Sequence, residues 1–305
     1  MNTLKELMDQ AKIKYDSGEN PFNEILAVNN HCLQILQSCN FSFRANSDGK
    51  EYWVFSNNGS DSRPICKSKM LEKTEFDKFF TQFQTYRNND YSIGTLSCSE
   101  LNNLLYTAIS NFCACYDIFK RGSRKTPGTY FEILLGTFIS HILFDYERKK
   151  FIKLPEYVSD SGDSSEADED SVSTDIVFEK AGYLRFVFPA KITTRERVVQ
   201  PFAHQRIIDS AFGERQYLSF LLCVSEMQLD KDNSVHPVCV PGTIKLFQRH
   251  LAKVGGIFYL DPPQRYLDED VSSFITVETI GNLLGNIIKD YIKPIQASAN
   301  KGISS

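Results

Sequence analysis

The chain has 305 residues, 42% of them hydrophobic and 24% charged, which are the proportions of an ordinary globular protein. That composition excludes a collagen-like, coiled-coil or wholly disordered chain, and no apolar run reaches the ~18 residues that span a bilayer. The formal net charge is −4, but residues 159–170, SDSGDSSEADED, hold six acidic residues and no basic one, so the remainder stands at +2.

Met1-Asn2-Thr3-Leu4-Lys5-Glu6 lacks the charged-then-apolar pattern of a secretory leader, and a cytoplasmic protein is expected. Residues 1–40 read as helical, first through Leu4, Leu7, Met8 and Ile13, then through Ile25 to Leu36. Residues 41–55 alternate apolar and polar on either side of Asp48-Gly49, which predicts a hairpin with a type I′ turn. Tyr52, Trp53 and Phe55 are read as the core of that hairpin rather than as base-stacking groups. Further helices are expected over 71–87 and 99–118.

A basic turn follows, with Lys120, Arg121, Arg124 and Lys125 around Gly122-Ser123. Thr126-Pro127-Gly128 then leads into a helix over about 129–147, whose apolar face is Phe131, Leu134, Leu135, Phe138, Ile142 and Leu143. The acidic stretch, taken as 159–172, predicts a solvated loop because its like charges repel and it has little to bury. Beyond it the pattern becomes α/β. Strands are expected at 174–179, 184–190, 217–224 and 256–260, and helices at 201–213, 242–253 and 277–292. Lys180-Ala181-Gly182-Tyr183 makes the first two strands a hairpin, and a helix then crosses to the third. That is a mixed β-sheet flanked by helices, with a mainly helical N-terminal region at 1–119 and a second unit at 120–305.

Eight cysteines (32, 39, 66, 98, 113, 115, 223 and 239) form no C-x-x-C pair, and five histidines are scattered. Clustered zinc ligands are therefore not expected, and the thiols read as reduced and mostly buried, with Cys66 and Cys98 as the exposed exceptions.

Asp175 opens one strand and Lys191 closes the next, sixteen positions on, so a tight turn can bring them to one sheet edge. A carboxylate there can hold Mg²⁺, and a lysine can orient or deprotonate an attacking water and stabilise charge on a phosphorane. The same spacing also suits a plain surface ion pair. Arg195-Glu196-Arg197 follows directly. Arginine forks onto guanine O6 and N7 and a carboxylate accepts from cytosine N4, so the triplet can read G·C pairs, or it can be a surface ion-pair cluster. Glu132 lies at the edge of an apolar helix face, either as a surface residue or aimed at the same site.

Taken together, GTYFEILLG around Glu132, the Asp175 to Lys191 spacing and the adjacent Arg195-Glu196-Arg197 resemble type II restriction endonucleases of the PD-(D/E)xK fold, in the branch that cuts CCGG- or CCNGG-containing sites. The resemblance covers about 120–225. In that branch the second acidic residue leaves the strand, and here its place, two before Lys191, is Pro189. A carboxylate thirteen or fourteen positions after the lysine replaces it. Those positions are His204 and Gln205 here, so Gln205 takes the metal-facing role through its amide oxygen, with Asp209 or His204 as alternatives.

The resemblance implies that Glu132, Asp175 and Gln205 surround Mg²⁺ and that Lys191 assists the water. It also implies that Arg195, Glu196 and Arg197 read base edges of double-stranded DNA, while Lys120, Arg121, Arg124 and Lys125 contact phosphates. A palindromic site implies a homodimer or a pair of dimers, with a DNA methyltransferase acting on the same site. The N-terminal region would then read flanking bases or form the dimer. The other readings are a repair or structure-specific nuclease of this fold and a non-catalytic DNA-binding protein on the same scaffold.

Overall fold

The computed structural model describes residues 1–123, 125–155 and 170–295, and at Arg195 and Glu196 the backbone alone. Arg124 and most of the expected acidic loop therefore lie outside the described residues.

Two helices, α1 (Asn2–Asp16) and α2 (Phe22–Gln37), lead into a small antiparallel sheet of β1 (Asn40–Ala45), β2 (Glu51–Asn57), β3 (Ser60–Asp61) and β4 (Ile65–Cys66). The hairpin stands where alternation placed it, but its turn is not type I′. Ala45 pairs with Glu51, Gly49 N–H donates to the Asn46 carbonyl, and of Asp48 and Gly49 only Gly49 has positive φ. The Asn46 side chain accepts the Asp48 and Lys50 N–H groups and so stabilises the longer loop. Cys66, expected to be exposed, is buried because its N–H donates to the Tyr106 hydroxyl on the central helix.

The helices α3 (Lys73–Thr85), α4 (Cys98–Phe119) and α5 (Lys125–Ile142) follow. α4 opens with a reciprocal cap, Ser97 Oγ accepting Glu100 N–H while the Glu100 carboxylate accepts Ser97 N–H. It is buried nearly all round, from Leu101 to Ile118.

The expected helix to residue 147 stops at Ile142, and Glu147–Lys153 form strand β5 instead. Only Ile152 of β5 is buried, so alternation could not reveal it; it is a strand because β6 (Ser171–Glu179) pairs with it. β6 also begins inside the expected loop, at Ser171. The predicted strand 184–190 divides into β7 (Arg185–Val187) and β8 (Ala190–Lys191). Pro189 has no N–H for a ladder, while its carbonyl accepts Leu222 N–H.

The remaining elements are α6 (Val199–Phe212), β9 (Tyr217–Ser225), β10 (Met227–Leu229), β11 (Val235–Pro237), α7 (Pro241–His250) and β12 (Gly256–Asp261). Two short turns, α8 (Gln264–Leu267) and α9 (Glu269–Ser272), precede β13 (Val277–Thr279). The expected helix at 277–292 starts only at Ile280, because Val277–Thr279 pair in parallel with β12.

The main sheet has seven strands in the order β13-β12-β9-β7-β6-β5, with β8 also on β9. β5, β6 and β7 are antiparallel neighbours, and β7, β8, β9, β12 and β13 run parallel. This is the mixed sheet flanked by helices that the pattern predicts. Along β9, Phe220 and Leu222 face the core under α4 and α5, while Leu221 and Cys223 face α6 and α7, as a period of two requires. One apolar cluster runs from Leu4 to Ile288, so the N-terminal helices pack directly over the sheet. No helix among the described residues is long and apolar enough to cross a membrane.

α4 is locked to the C-terminal helical run at Gly281. The Asn102 side chain donates to Leu260 O at 2.8 Å and accepts Gly281 N–H at 3.2 Å. A Cβ on Gly281 would lie 1.9 Å from the Cys98 carbonyl oxygen, a backbone atom with nowhere to move. Gly281→Ala is expected to destabilise by about 1–3 kcal/mol or more, read as a lower urea midpoint with unchanged slope.

Candidate active site

The strand hairpin does what the spacing requires. Asp175 on β6 faces Lys191 at the end of β8, and Lys191 Nζ donates to Asp175 Oδ2 at 2.9 Å. The same oxygen accepts Ala190 N–H at 2.7 Å. The two side chains keep only 20% and 15% of their exposure, so this is a recessed pair rather than a solvated surface bridge. β8 sits at this height because Ala190 pairs with Leu222 and Lys191 with Cys223.

α5 packs beside β8 and brings Glu132 to the same place. The Glu132 carboxyl is pushed up to about 7, chiefly by burial and next by the Asp175 charge, with Lys191 opposing. The helix therefore supplies a second carboxylate within the field of the first.

α6 does not deliver Gln205 as expected. Gln205 is 1% exposed, and its amide is spent on structure. Its Nε2 donates to Asp209 Oδ1 at 2.7 Å and to Tyr217 O at 3.1 Å, and its Oε1 accepts Ser219 N–H at 2.9 Å. These partners lie at the start of β9, whereas Lys191 pairs near its end, about 13 Å further along at the usual rise per residue. Asp209, the alternative, is held by the same amide. The neighbouring residue, His204, is about 100° round the helix. Its imidazole pKa is lowered by burial first and then by Lys191, with Asp175 pulling the other way. Of the three candidates in α6, His204 is the one within the field of the Asp175–Lys191 pair.

Past Lys191, Thr194 precedes a 3₁₀ turn at Arg195–Val198, and Arg197 is exposed into a cleft of about 930 Å³. Glu132, Lys191, Lys120, Arg121 and Lys125 line that cleft with it. The basic turn, the carboxylate and the lysine thus share one concavity. Other residues of its lining carry no mark in the sequence. Arg63, in a loop after the hairpin, lines the cleft and grips Asp117 of α4 through Nε and Nη2, both at 2.7 Å. Gln228 on β10 lines it too.

Among the described residues no group of three or more His, Cys, Asp and Glu side chains is close enough to cage a metal ion. Mg²⁺ needs less than a cage: one or two carboxylates suffice, because it keeps several waters. Asp175 and Glu132 fit it, as oxygen donors whose mutual repulsion, second to burial in raising the Glu132 pKa, would be relieved by a divalent cation. The arrangement can hold such a cation beside a fixed ammonium group, in a cleft margined by positive charge.

Two outcomes are expected. In metal-free buffer, Glu132 has a folded pKa above its unfolded value. The stability it contributes is therefore full below about pH 4.5 and is lost as pH rises through about 7, a few kcal/mol at most. Glu132→Gln removes that fall, and urea unfolding at pH 5, 6 and 8 on both proteins reads the difference. Gln205→Ala strands Ser219 N–H and Tyr217 O and lowers stability by about 2–4 kcal/mol, whereas His204→Ala costs under about 1 kcal/mol. Parallel thermal melts compare the two.

No protein-family model matches the chain, and no curated protein does. Among solved structures, the chain is similar to the type IIP restriction endonuclease Kpn2I, with 34% identity over 95% of this chain and 98% of that one, at a TM-score of 0.79. The restriction endonuclease PspGI in complex with substrate DNA aligns with 71% of this chain and 91% of that one, at 12% identity and a TM-score of 0.40, a likeness too slight to argue from.

Proposed function

The chain belongs to the type II restriction endonucleases, and on that premise we propose that it cleaves double-stranded DNA in a Mg²⁺-dependent way at a palindromic site containing CCGG or CCNGG. The observation that carries this reading is the recessed Asp175–Lys191 pair, 2.9 Å apart, whose lysine lines the cleft together with Glu132 and Arg197.

Asp175 and Glu132 would hold the cation, which when bound supplies positive charge to stabilise the phosphorane as it forms. Lys191, kept in place by Asp175, orients the attacking water and neutralises charge on the phosphate. His204 borders this pair, and Gln205 supports α6 from behind. Arg195, Glu196 and Arg197 read C·G pairs in the major groove, by arginine forks onto guanine and carboxylate acceptance from cytosine. Lys120, Arg121, Arg124 and Lys125 take DNA phosphates and set register rather than sequence preference. Two copies related by a two-fold axis match a palindrome, and 1–119 serves flanking-base contacts or the dimer. A methyltransferase of the same specificity protects the host DNA without needing to touch this chain.

The test is incubation of unmethylated phage DNA with Mg²⁺ and sequencing of the fragment ends. The expected result is discrete ends centred on one CCGG- or CCNGG-containing site, with cutting abolished by chelator. Lys191→Ala is expected to reduce the rate by about 10³-fold with an unchanged melting profile. Discrete ends at a site lacking both sequences would overturn the proposed target while leaving the chemistry. Specific DNA retention without any cutting would overturn the catalytic roles.

A further inference from the structure

β9 ends at Ser225, and the next residue, Glu226, is a carboxylate with 0% exposure. A charge so placed is tolerated only where hydrogen bonds replace water. Glu226 Oε1 accepts Thr194 N–H at 2.8 Å, Thr194 Oγ1–H at 2.5 Å and the Tyr259 hydroxyl at 3.0 Å. Thr194 and Tyr259 are themselves buried. The Glu226 backbone carbonyl accepts Val238 N–H, which ties the carboxylate's own backbone to the segment after β11.

Two of those bonds come from a single residue, through both its backbone and its side chain, and that residue immediately precedes Arg195. The Thr194 carbonyl then accepts Arg197 N–H at 2.9 Å, so the turn that carries the triplet starts from the anchored residue. On the other side, the Ile192 carbonyl accepts Ser225 N–H at 3.3 Å, and Lys191 is paired with Cys223. The catalytic lysine and the triplet thus take their positions from consecutive steps along one strand and its first residue beyond. Around Glu226 the wall is apolar and aromatic, with Cys223, Tyr259 and Tyr266 in one cluster. Well-packed apolar residues stabilise such a place as well as or better than an ion does. A carboxylate there contributes something apolar packing cannot, namely fixed direction to the two Thr194 donors.

We infer that Glu226 is a positioning residue for base recognition: it sets the orientation of Arg195–Arg197 relative to Lys191 by holding Thr194. The inference rests on the proposed reading of Arg195, Glu196 and Arg197 as the base readers.

The test uses the full-length protein and duplexes bearing the site found by end sequencing, together with each single-base-pair variant of it. Steady-state kcat and KM are measured for Glu226→Ala, Glu226→Gln, Thr194→Val, Arg195→Ala and Arg197→Ala, with thermal melts and affinity for a duplex lacking the site. Glu226→Ala is expected to lose about 10–100-fold of discrimination at the C·G positions, the scale of one misaligned bidentate contact, with affinity for unrelated duplex unchanged. Glu226→Gln, whose amide oxygen still accepts both Thr194 bonds, retains discrimination.

An equal fall on the true and altered sites, with discrimination intact, would overturn the inference, as would Gln behaving like Ala. If Glu226→Ala does not fold, Thr194→Val decides by the same criterion, since it removes one of the two anchoring bonds and leaves the carboxylate in place. Should the arginine variants lose discrimination while Glu226→Ala and Thr194→Val keep it, positioning alone fails. Should the arginine variants also keep discrimination, the reader assignment fails and takes this inference with it.

Discussion

The backbone of β9 is the constraint on which the rest of the molecule is aligned. It is the strand to which β7, β8 and β12 all bond in parallel, and parallel ladders bury both faces of a sheet. Its alternate side chains therefore belong to two different cores. Its peptide groups fix the height of Lys191, and its start holds α6 through Gln205. Its end passes into Glu226 and so to the turn at Arg195. A shift of β9 by one residue would exchange its two faces and move the lysine away from Asp175 in the same step.

The chemistry at the sheet edge follows from how few charges share a small space. Asp175 takes both a backbone N–H and the Lys191 ammonium on one oxygen, which fixes its direction. Glu132 approaches from a helix whose other side is committed to the core, so it cannot withdraw without unpacking Phe131 and Leu135. Its raised pKa is the electrostatic consequence of being held there. Positive charge sits on exposed residues of the same cleft, at Lys120, Arg121 and Lys125. Arg197 and Lys191 line one cleft because only six positions of chain separate them.

Much of this was legible in the chain. The helices over Asn2–Asp16, Phe22–Gln37, Lys73–Thr85 and Cys98–Phe119 carry the 3.6-residue apolar period that predicts them, and the β6–β7 hairpin follows from a glycine turn between apolar runs. Edge strand β5 was not legible: Glu-Arg-Lys-Lys has no alternation, and only the partner strand makes it β. Arg63 gave no signal because its role comes from Asp117, 54 positions away. Glu226, in Ser225-Glu226-Met227, looks like any strand-end acid until its burial is known.

By itself the sequence determined the pairing of Asp175 with Lys191, since a short turn between two strands leaves little freedom over which ends meet. It determined the adjacency of lysine and Arg195-Glu196-Arg197, which is covalent. Only the tertiary structure decided between His204 and Gln205, and the reason is geometric. Consecutive helix residues point about 100° apart, so which of them faces a site depends on how the helix is rolled. That roll is set by Phe202 and Ile208 seating in the sheet and by the Gln205 amide closing on Ser219 and Tyr217. No spacing along the chain contains that angle, because it is fixed by contacts with residues that lie elsewhere in the sequence.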